Sequence, residues 1–344
     1  MGRRETLSLA PVPCGLSEGI VGSALTKENC RELPLTDSDQ IFRTLQYDAM
    51  IQKHPREVLN ERDLWAHSKR GQNFLVPSDL LGKVADSAEL GNDDVAFEVG
   101  AGLGRLSRRL AARAGRLVTV EIDRGLHEVA AENLGDLDNV RLLCADVLQD
   151  KHTLNGDVDA AVREVLAESG GTLKVAANLP YWISSPLLLA LLEWDVPLED
   201  IYVMLQEEVA ERLTASEGEG QYGPLTVVVN HWGRVEKLFD VPPTAFWPQP
   251  EVGSTFVHIK PRPFSPRPDS YALFHEVVNT LFQNRRKMVR KGLKLGWSKR
   301  VSARVVEESG VDGRKRPEKL TTEQFVALSN AVGSALGQEP ADGS

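Results

Sequence analysis

The feature that most limits what this chain can fold into is a series of short apolar segments, each ending on polar residues and alternating with helix-length stretches. Val95-Ala-Phe-Glu-Val99 leads into Gly100-Ala-Gly-Leu-Gly104 and a predicted helix over 105–114. Residues 117–120 form a second strand that ends at Glu121, followed by a helix over 124–134. Residues 140–144 form a third that stops just before Asp146, and residues 173–177 a fourth that ends at Asn178-Leu-Pro-Tyr181. An apolar helix over 186–194 precedes a fifth strand at 201–205. Strands alternating with helices at this spacing imply an α/β fold of the Rossmann-like kind, a mostly parallel sheet covered on both faces.

The flanks read differently. Residues 1–65 mix Gly, Pro, Ser and both charge signs and are expected to be a mostly flexible extension, with a short amphipathic stretch at 41–51 able to form a helix. Ser78-Asp79 can cap a helix over 78–90. Residues 224–261 add one helix and two strands, 235–241 and 254–259, and the Pro-rich stretch 261–268 reads as a linker. Beyond it, residues 271–332 read as several short helices. The expected organisation is therefore an extension at 1–65, a catalytic α/β domain at 66–262, a small C-terminal helical domain at 263–336 and a tail at 337–344.

Composition excludes some classes. No apolar run approaches the ~20 residues of a membrane-spanning helix, and the first thirty residues carry neither a signal-type apolar core nor an Arg-rich transit pattern. Cys14, Cys30 and Cys144 are too scattered for a disulfide framework or zinc spacing, so a reducing cytoplasm without membrane contact is expected. The net charge of −9 taken alone argues against a nucleic-acid partner. Its distribution argues the other way, because residues 284–300 hold eight Lys or Arg and no Asp or Glu.

In an open parallel sheet, ligands bind outside the carboxyl ends of the strands. Glu98 with the glycines, Glu121, Asp146 and Asn178 all fall at those ends. Gly100 and Gly102 let backbone approach a ligand closely, in a spacing that differs from the Gly-x-Gly-x-x-Gly dinucleotide fingerprint. Glu121, at the end of the second strand, can accept hydrogen bonds from two ribose hydroxyls. Up to this point the pattern indicates an adenosine-containing cofactor and nothing finer. Asn178-Leu-Pro-Tyr181 then joins an amide, a restrained backbone and an aromatic ring. An exocyclic adenine amine is a poor nucleophile while its lone pair is conjugated into the ring. Acceptors on its two hydrogens favour a pyramidal nitrogen, and Tyr181 can stack on a base that is single-stranded or flipped out.

With these residues the chain resembles the ribosomal RNA adenine dimethyltransferases, in particular the bacterial small-subunit branch, from Gly71 to about residue 331. Six segments in order carry the likeness. They are Gly71-Gln-Asn-Phe-Leu75; Glu98-Val-Gly-Ala-Gly-Leu-Gly104; Glu121-Ile-Asp123; Asn178-Leu-Pro-Tyr181; Met204-Leu-Gln-Glu-Glu208 with Tyr222-Gly223; and Phe246-x-Pro-x-Pro-x-Val-x-Ser254. The basic Phe282-x-x-Arg-Arg-Lys287 follows.

The resemblance implies a class I methyltransferase sheet, S-adenosylmethionine as methyl donor, no metal, and two methyl transfers to each of two adjacent adenines near the 3′ end of small-subunit ribosomal RNA. It implies that Asn73, Leu75, Gly100, Gly102, Glu121, Asp146 and Asn178 contact the cofactor, Glu121 at the ribose and Asp146 at the adenine amine. Asn178 with the Leu179–Pro180 backbone would orient the target amine, Tyr181 would stack on the base, and Phe246 would help enclose it. Arg285, Arg286, Lys287, Arg290 and Lys291 would form a phosphate-contacting helix. The partner would be small-subunit RNA in a pre-ribosomal particle, met by a monomer.

Three departures bear on RNA docking alone: Ala66-His-Ser-Lys-Arg70 ahead of Gly71, Glu207 where the family usually has a basic residue, and the long leader. A large-subunit RNA methyltransferase and an assembly factor without chemistry stay open as alternatives. A nicotinamide-dependent oxidoreductase shares the glycine loop and ribose carboxylate but leaves Asn178 to Tyr181 unexplained.

Overall fold

The computed structural model describes residues 53–66, 71–151, 153–262 and 265–337. The expected helix at 41–51 and residues 338–344 of the expected tail lie outside them.

The chain enters through a short helix, α1 (Pro55–Glu61), with the His54 ring accepting from the Arg56 N–H and proline at the first helical position. A two-residue strand, β1 (Phe74–Leu75), precedes α2 (Ser78–Ser87). The alternation follows: β2 (Val95–Val99), α3 (Arg105–Ala111), β3 (Arg116–Glu121), α4 (Arg124–Leu134), β4 (Val140–Cys144), α5 (Gly156–Ser169), β5 (Leu173–Asn178), α6 (Ser184–Leu192) and β6 (Leu198–Gln206). Helices α7 (Glu207–Thr214) and α8 (Pro224–Trp232) lead to β7 (Gly233–Val241), β8 (Phe246–Trp247) and β9 (Ser254–Pro261). Four helices finish the described chain: α9 (Tyr271–Gln283), α10 (Val289–Gly296), α11 (Lys299–Glu308) and α12 (Thr322–Gly337). Among the described residues, no helix is long and apolar enough to cross a membrane.

Seven strands make one sheet in the order β4-β3-β2-β5-β6-β9-β7. The first five in that order run parallel, while β9 pairs antiparallel with both β6 and β7. The chain fills one half of the sheet outward from β2, then returns to fill the other half from β5. The order therefore reverses between β2 and β5, which opens a crevice at their carboxyl ends. All five residues of β2 are buried, as a central strand covered on both faces requires.

Helix α5, which the sequence analysis leaves unassigned, is capped by the Asn155 side chain on the Asp157 N–H and ends at Gly170 with φ +65°. It buries Val158, Ala161, Val162 and Val165, one stripe at helical spacing.

Of the expected extension, residues 1–52 lie outside the described residues, and its last part docks through α1. Val58 and Leu59 pack on Leu103, Leu126 and Val129, with Leu64 and Trp247 beside them, and the Arg62 guanidinium grips the Glu132 carboxylate with two hydrogen bonds. The C-terminal helices pack around an apolar cluster that a few residues ahead of them join. Val227 and Val228 of α8, with Tyr222, share one apolar cluster with Phe274, Leu281, Val305 and Phe325. The Tyr222 hydroxyl donates to the Leu320 carbonyl at 2.7 Å, which fastens the two parts together.

Candidate active site

The crevice predicted from the switch in strand order is an open cleft. Its walls come from five chain segments, 71–75, 98–106, 120–122, 145–147 and 178–183, together with Leu81 and Leu126. Asn73, Leu75, Gly100, Gly102, Glu121, Asp146, Asn178, Leu179, Pro180 and Tyr181, all singled out from sequence, line it together.

The floor is the loop after β2. Gly100, Gly102 and Gly104 have φ of +85°, +57° and +75°, a region that side chains with a Cβ rarely adopt. A Cβ on Gly102 would stand 3.3 Å from the Phe74 ring, and one on Gly100 would stand 3.5 Å from the Pro180 ring. The glycines thus let a ligand approach the main chain while strands β1 and β5 close in from the sides. Arg105 holds the rim by donating to the Leu75 and Val76 carbonyls at 2.9 and 3.0 Å.

Glu121 accepts the Gly102 N–H at 2.8 Å on one oxygen and the Asp123 N–H at 2.9 Å on the other. Burial pushes its carboxyl above the usual carboxylate range, and these two N–H groups pull it back. Each oxygen keeps a lone pair for a vicinal diol. Asp146 is similarly half-committed, since its Oδ1 takes the Leu148 N–H at 3.0 Å and its second oxygen remains for a donor. Glu98 sits behind the loop, 1% exposed, with the Ser107 and Thr119 hydroxyls both donating to Oε2. Burial drives its carboxyl up to about 7 against those two bonds, with Glu121 adding to the rise.

On the opposite wall the Asn178 amide nitrogen donates to the Asn73 carbonyl at 3.1 Å. That bond settles which way the carboxamide faces and leaves Oδ1 as an open acceptor. Tyr181 begins a 3₁₀ turn, and its hydroxyl pairs with Ser254 Oγ at 2.7 Å, so the ring is anchored from β9. Its phenol is pushed up by burial.

Phe246 stands behind Leu75, which lines this cleft. It pairs with Leu75 in the small β1–β8 sheet and is buried in a cluster with Leu81, Met204 and Phe256. One assignment needs correction: Arg285 is not on a helix. It lies in the turn between α9 and α10 and donates to the Gly220 and Glu219 carbonyls at 2.8 and 3.0 Å. Arg286 and Lys287 share that turn, Arg290 and Lys291 lie on α10, and all four are exposed. Beside them the structure brings a second basic segment that sequence reasoning missed, Arg314-Lys315-Arg316. It is tied to the start of α10 by the Val289 N–H on the Lys315 carbonyl at 2.9 Å. Phe74, Ile122 and Trp182 also line the cleft unannounced, because apolar residues next to a motif carry no polar signal.

A family profile, ribosomal RNA adenine dimethylase, matches residues 64–333. The chain belongs to that family. It is 36% identical over 289 residues to the ribosomal RNA small subunit methyltransferase A of Geobacillus kaustophilus, covering 82% of this chain and 96% of the relative. Among solved structures it is similar to a dimethyladenosine transferase from Plasmodium falciparum, with TM-score 0.59 and 21% identity over 73% of this chain and 94% of the other. It is also similar to the 23S rRNA methyltransferase ErmE, with TM-score 0.54 and 24% identity over 76% of this chain and 100% of the other. These two likenesses establish the fold, a class I methyltransferase sheet with a C-terminal helical region. The cleft suits the methyl donor of such enzymes: a glycine floor that a Cβ would fill, a carboxylate with lone pairs free for a ribose, and a second carboxylate with an unused oxygen.

Proposed function

We infer that this dimethylase takes methyl groups from S-adenosylmethionine and places them on the exocyclic amine of adenines in small-subunit ribosomal RNA. The enzyme class, the donor and the small-subunit substrate follow from family membership and from the relative at 36% identity. We propose further that the targets are two adjacent adenines near the 3′ end, each dimethylated. They would be met within a pre-ribosomal particle in the cytoplasm by a monomer of this chain.

S-adenosylmethionine supplies an electrophilic methyl group on a sulfonium. Glu121 is suited to hold its ribose and Asp146 its adenine amine, while Gly100 and Gly102 let its chain lie against the backbone. The observation that carries the target reading is the fixed carboxamide of Asn178. With its nitrogen spent on the Asn73 carbonyl, Oδ1 can accept one hydrogen of an adenine amine, and a backbone carbonyl of the Leu179–Pro180 segment can accept the other. Both bonds withdraw the nitrogen lone pair from the ring and direct it at the methyl carbon. Tyr181, anchored through Ser254, offers a ring for the extruded base to stack on. Arg286, Lys287, Arg290 and Lys291, with Arg314 to Arg316 beside them, provide the cationic surface for phosphates.

Asn178→Ala tests this reading. With under-methylated small-subunit particles and labelled donor, the variant should lose more than about a hundredfold in kcat while binding particles as the parent does. Undiminished turnover would remove Asn178 from the mechanism.

A further inference from the structure

We propose that Trp182 is a second base-stacking platform, at the mouth of the cleft, for the nucleotide adjacent to the target adenine. The proposal rests on the reading of this cleft as an adenine methylation site.

The 3₁₀ turn Tyr181–Ile183 sends three consecutive side chains to three different places. Ile183 goes into the core at 4% exposure, Tyr181 goes half-buried into the cleft, and Trp182 stays 53% exposed on the rim. Trp182 lines the cleft, unlike the exposed Leu238, Leu295 and Leu336. Its near edge lies beside the Gly71 backbone. Gly71, with φ +59°, lies so close that a Cβ there would stand 3.6 Å from Trp182 Cδ1 and 3.3 Å from the Tyr181 nitrogen. The Ser184 hydroxyl donates to the Tyr181 carbonyl at 3.0 Å and fixes the turn. A large, half-exposed aromatic surface at the mouth of a cleft is the arrangement that binds unstacked bases.

The chemistry of the substrate identifies the occupant. Drawing one adenine into the cleft uncovers a face of its neighbour along the strand, and that face needs a new stacking partner. Tyr181 and Trp182 are consecutive residues, so two consecutive bases can each take one ring. When the two adenines exchange places after the first is methylated, the platform would hold the spare base and keep the strand in register. Stacking tolerates added methyl groups, because it does not depend on the amine hydrogens.

The test compares Trp182→Ala and Trp182→Phe on under-methylated small-subunit particles, measuring KM for the particle, the ratio of singly to doubly modified RNA, and donor affinity by calorimetry. The alanine variant should raise KM on the order of tenfold, the loss of one base–aromatic stack, and should accumulate RNA with one adenine modified. The phenylalanine variant should recover most of both, and both variants should bind S-adenosylmethionine as the parent does. An alanine variant with parental KM and product ratio would overturn the proposal while leaving the methylation reading intact. Equal loss in both variants, or a matching loss of donor affinity, would make Trp182 a scaffold residue and overturn it too. Absence of dimethyladenosine with the parent enzyme would remove the reading on which it rests.

Discussion

Replacing Glu98 by glutamine should make the protein more stable at pH 8 and change little at pH 5. The Glu98 carboxyl is buried in the floor of the cleft, and burial holds it at about 7, with Ser107 and Thr119 offsetting only part of the cost. In the unfolded chain the same group ionises near an ordinary ~4.3. Between those values the native state binds more protons than the unfolded state, so stability falls as pH rises through that window and stays low above it. At ~1.4 kcal/mol for each tenfold difference, the displacement amounts to about 4 kcal/mol, more than half of it between pH 5 and pH 8. Glutamine keeps an oxygen to accept both hydroxyls and carries no charge at either pH. Urea denaturation of parent and variant at the two pH values measures the difference directly. The variant should gain about 2 kcal/mol on the parent from pH 5 to pH 8. Parallel pH dependence in the two proteins would refute the reasoning.

Gly102→Ala forces a side chain into φ +57° and against the Phe74 ring, so the loop should shift and release the N–H that Glu121 accepts. Calorimetry should find S-adenosylmethionine bound roughly tenfold more weakly, in keeping with about 1–2 kcal/mol of backbone strain. Leu59→Ala empties a buried position under α4 and the cofactor loop and should lower stability by about 2–4 kcal/mol in denaturant titrations; a decrease below about 0.5 kcal/mol would mean that α1 is a loose appendage. Neutralising Arg286, Lys287, Arg290 and Lys291 together should flatten the salt dependence of RNA binding, by about 0.7 to 0.9 in log–log slope for each RNA phosphate that no longer meets a cation. Arg285→Ala should lower the melting temperature and leave that slope unchanged.

The sheet and the cleft floor were legible in the sequence because carboxylates and an amide recur at the carboxyl ends of apolar strands. Glu98, Glu121, Asp146 and Asn178 stand out against Val, Leu and Ala for that reason. Helix α5 carries a readable stripe as well, in Val158, Ala161, Val162 and Val165, although the residues between them are a mixture of charges and alanines. Helix α1 was not legible, since seven residues with one adjacent apolar pair, Val58-Leu59, show no period; its helicity comes from the surface it lands on. The facing of Phe246 is not legible either, because a two-residue strand gives no alternation from which to judge it. Arg285 shows a limit of another kind. A basic run says how many charges are present, and only the fold reveals that this one is spent on the Gly220 and Glu219 carbonyls. The register of Trp182 at the rim, one residue beyond Tyr181, likewise depends on a 3₁₀ turn that no periodicity announces.

The central claim is that Asn178 and the Leu179–Pro180 backbone present an adenine amine to a methyl donor seated on the Gly100–Gly104 floor. Its most direct measurement is nucleoside mass spectrometry of ribosomal RNA from unmethylated small- and large-subunit particles, each incubated with the purified protein and S-adenosylmethionine. The account predicts N6,N6-dimethyladenosine from the small-subunit RNA alone, approaching two per molecule. Label confined to large-subunit RNA, or small-subunit RNA recovered without dimethyladenosine, would contradict it.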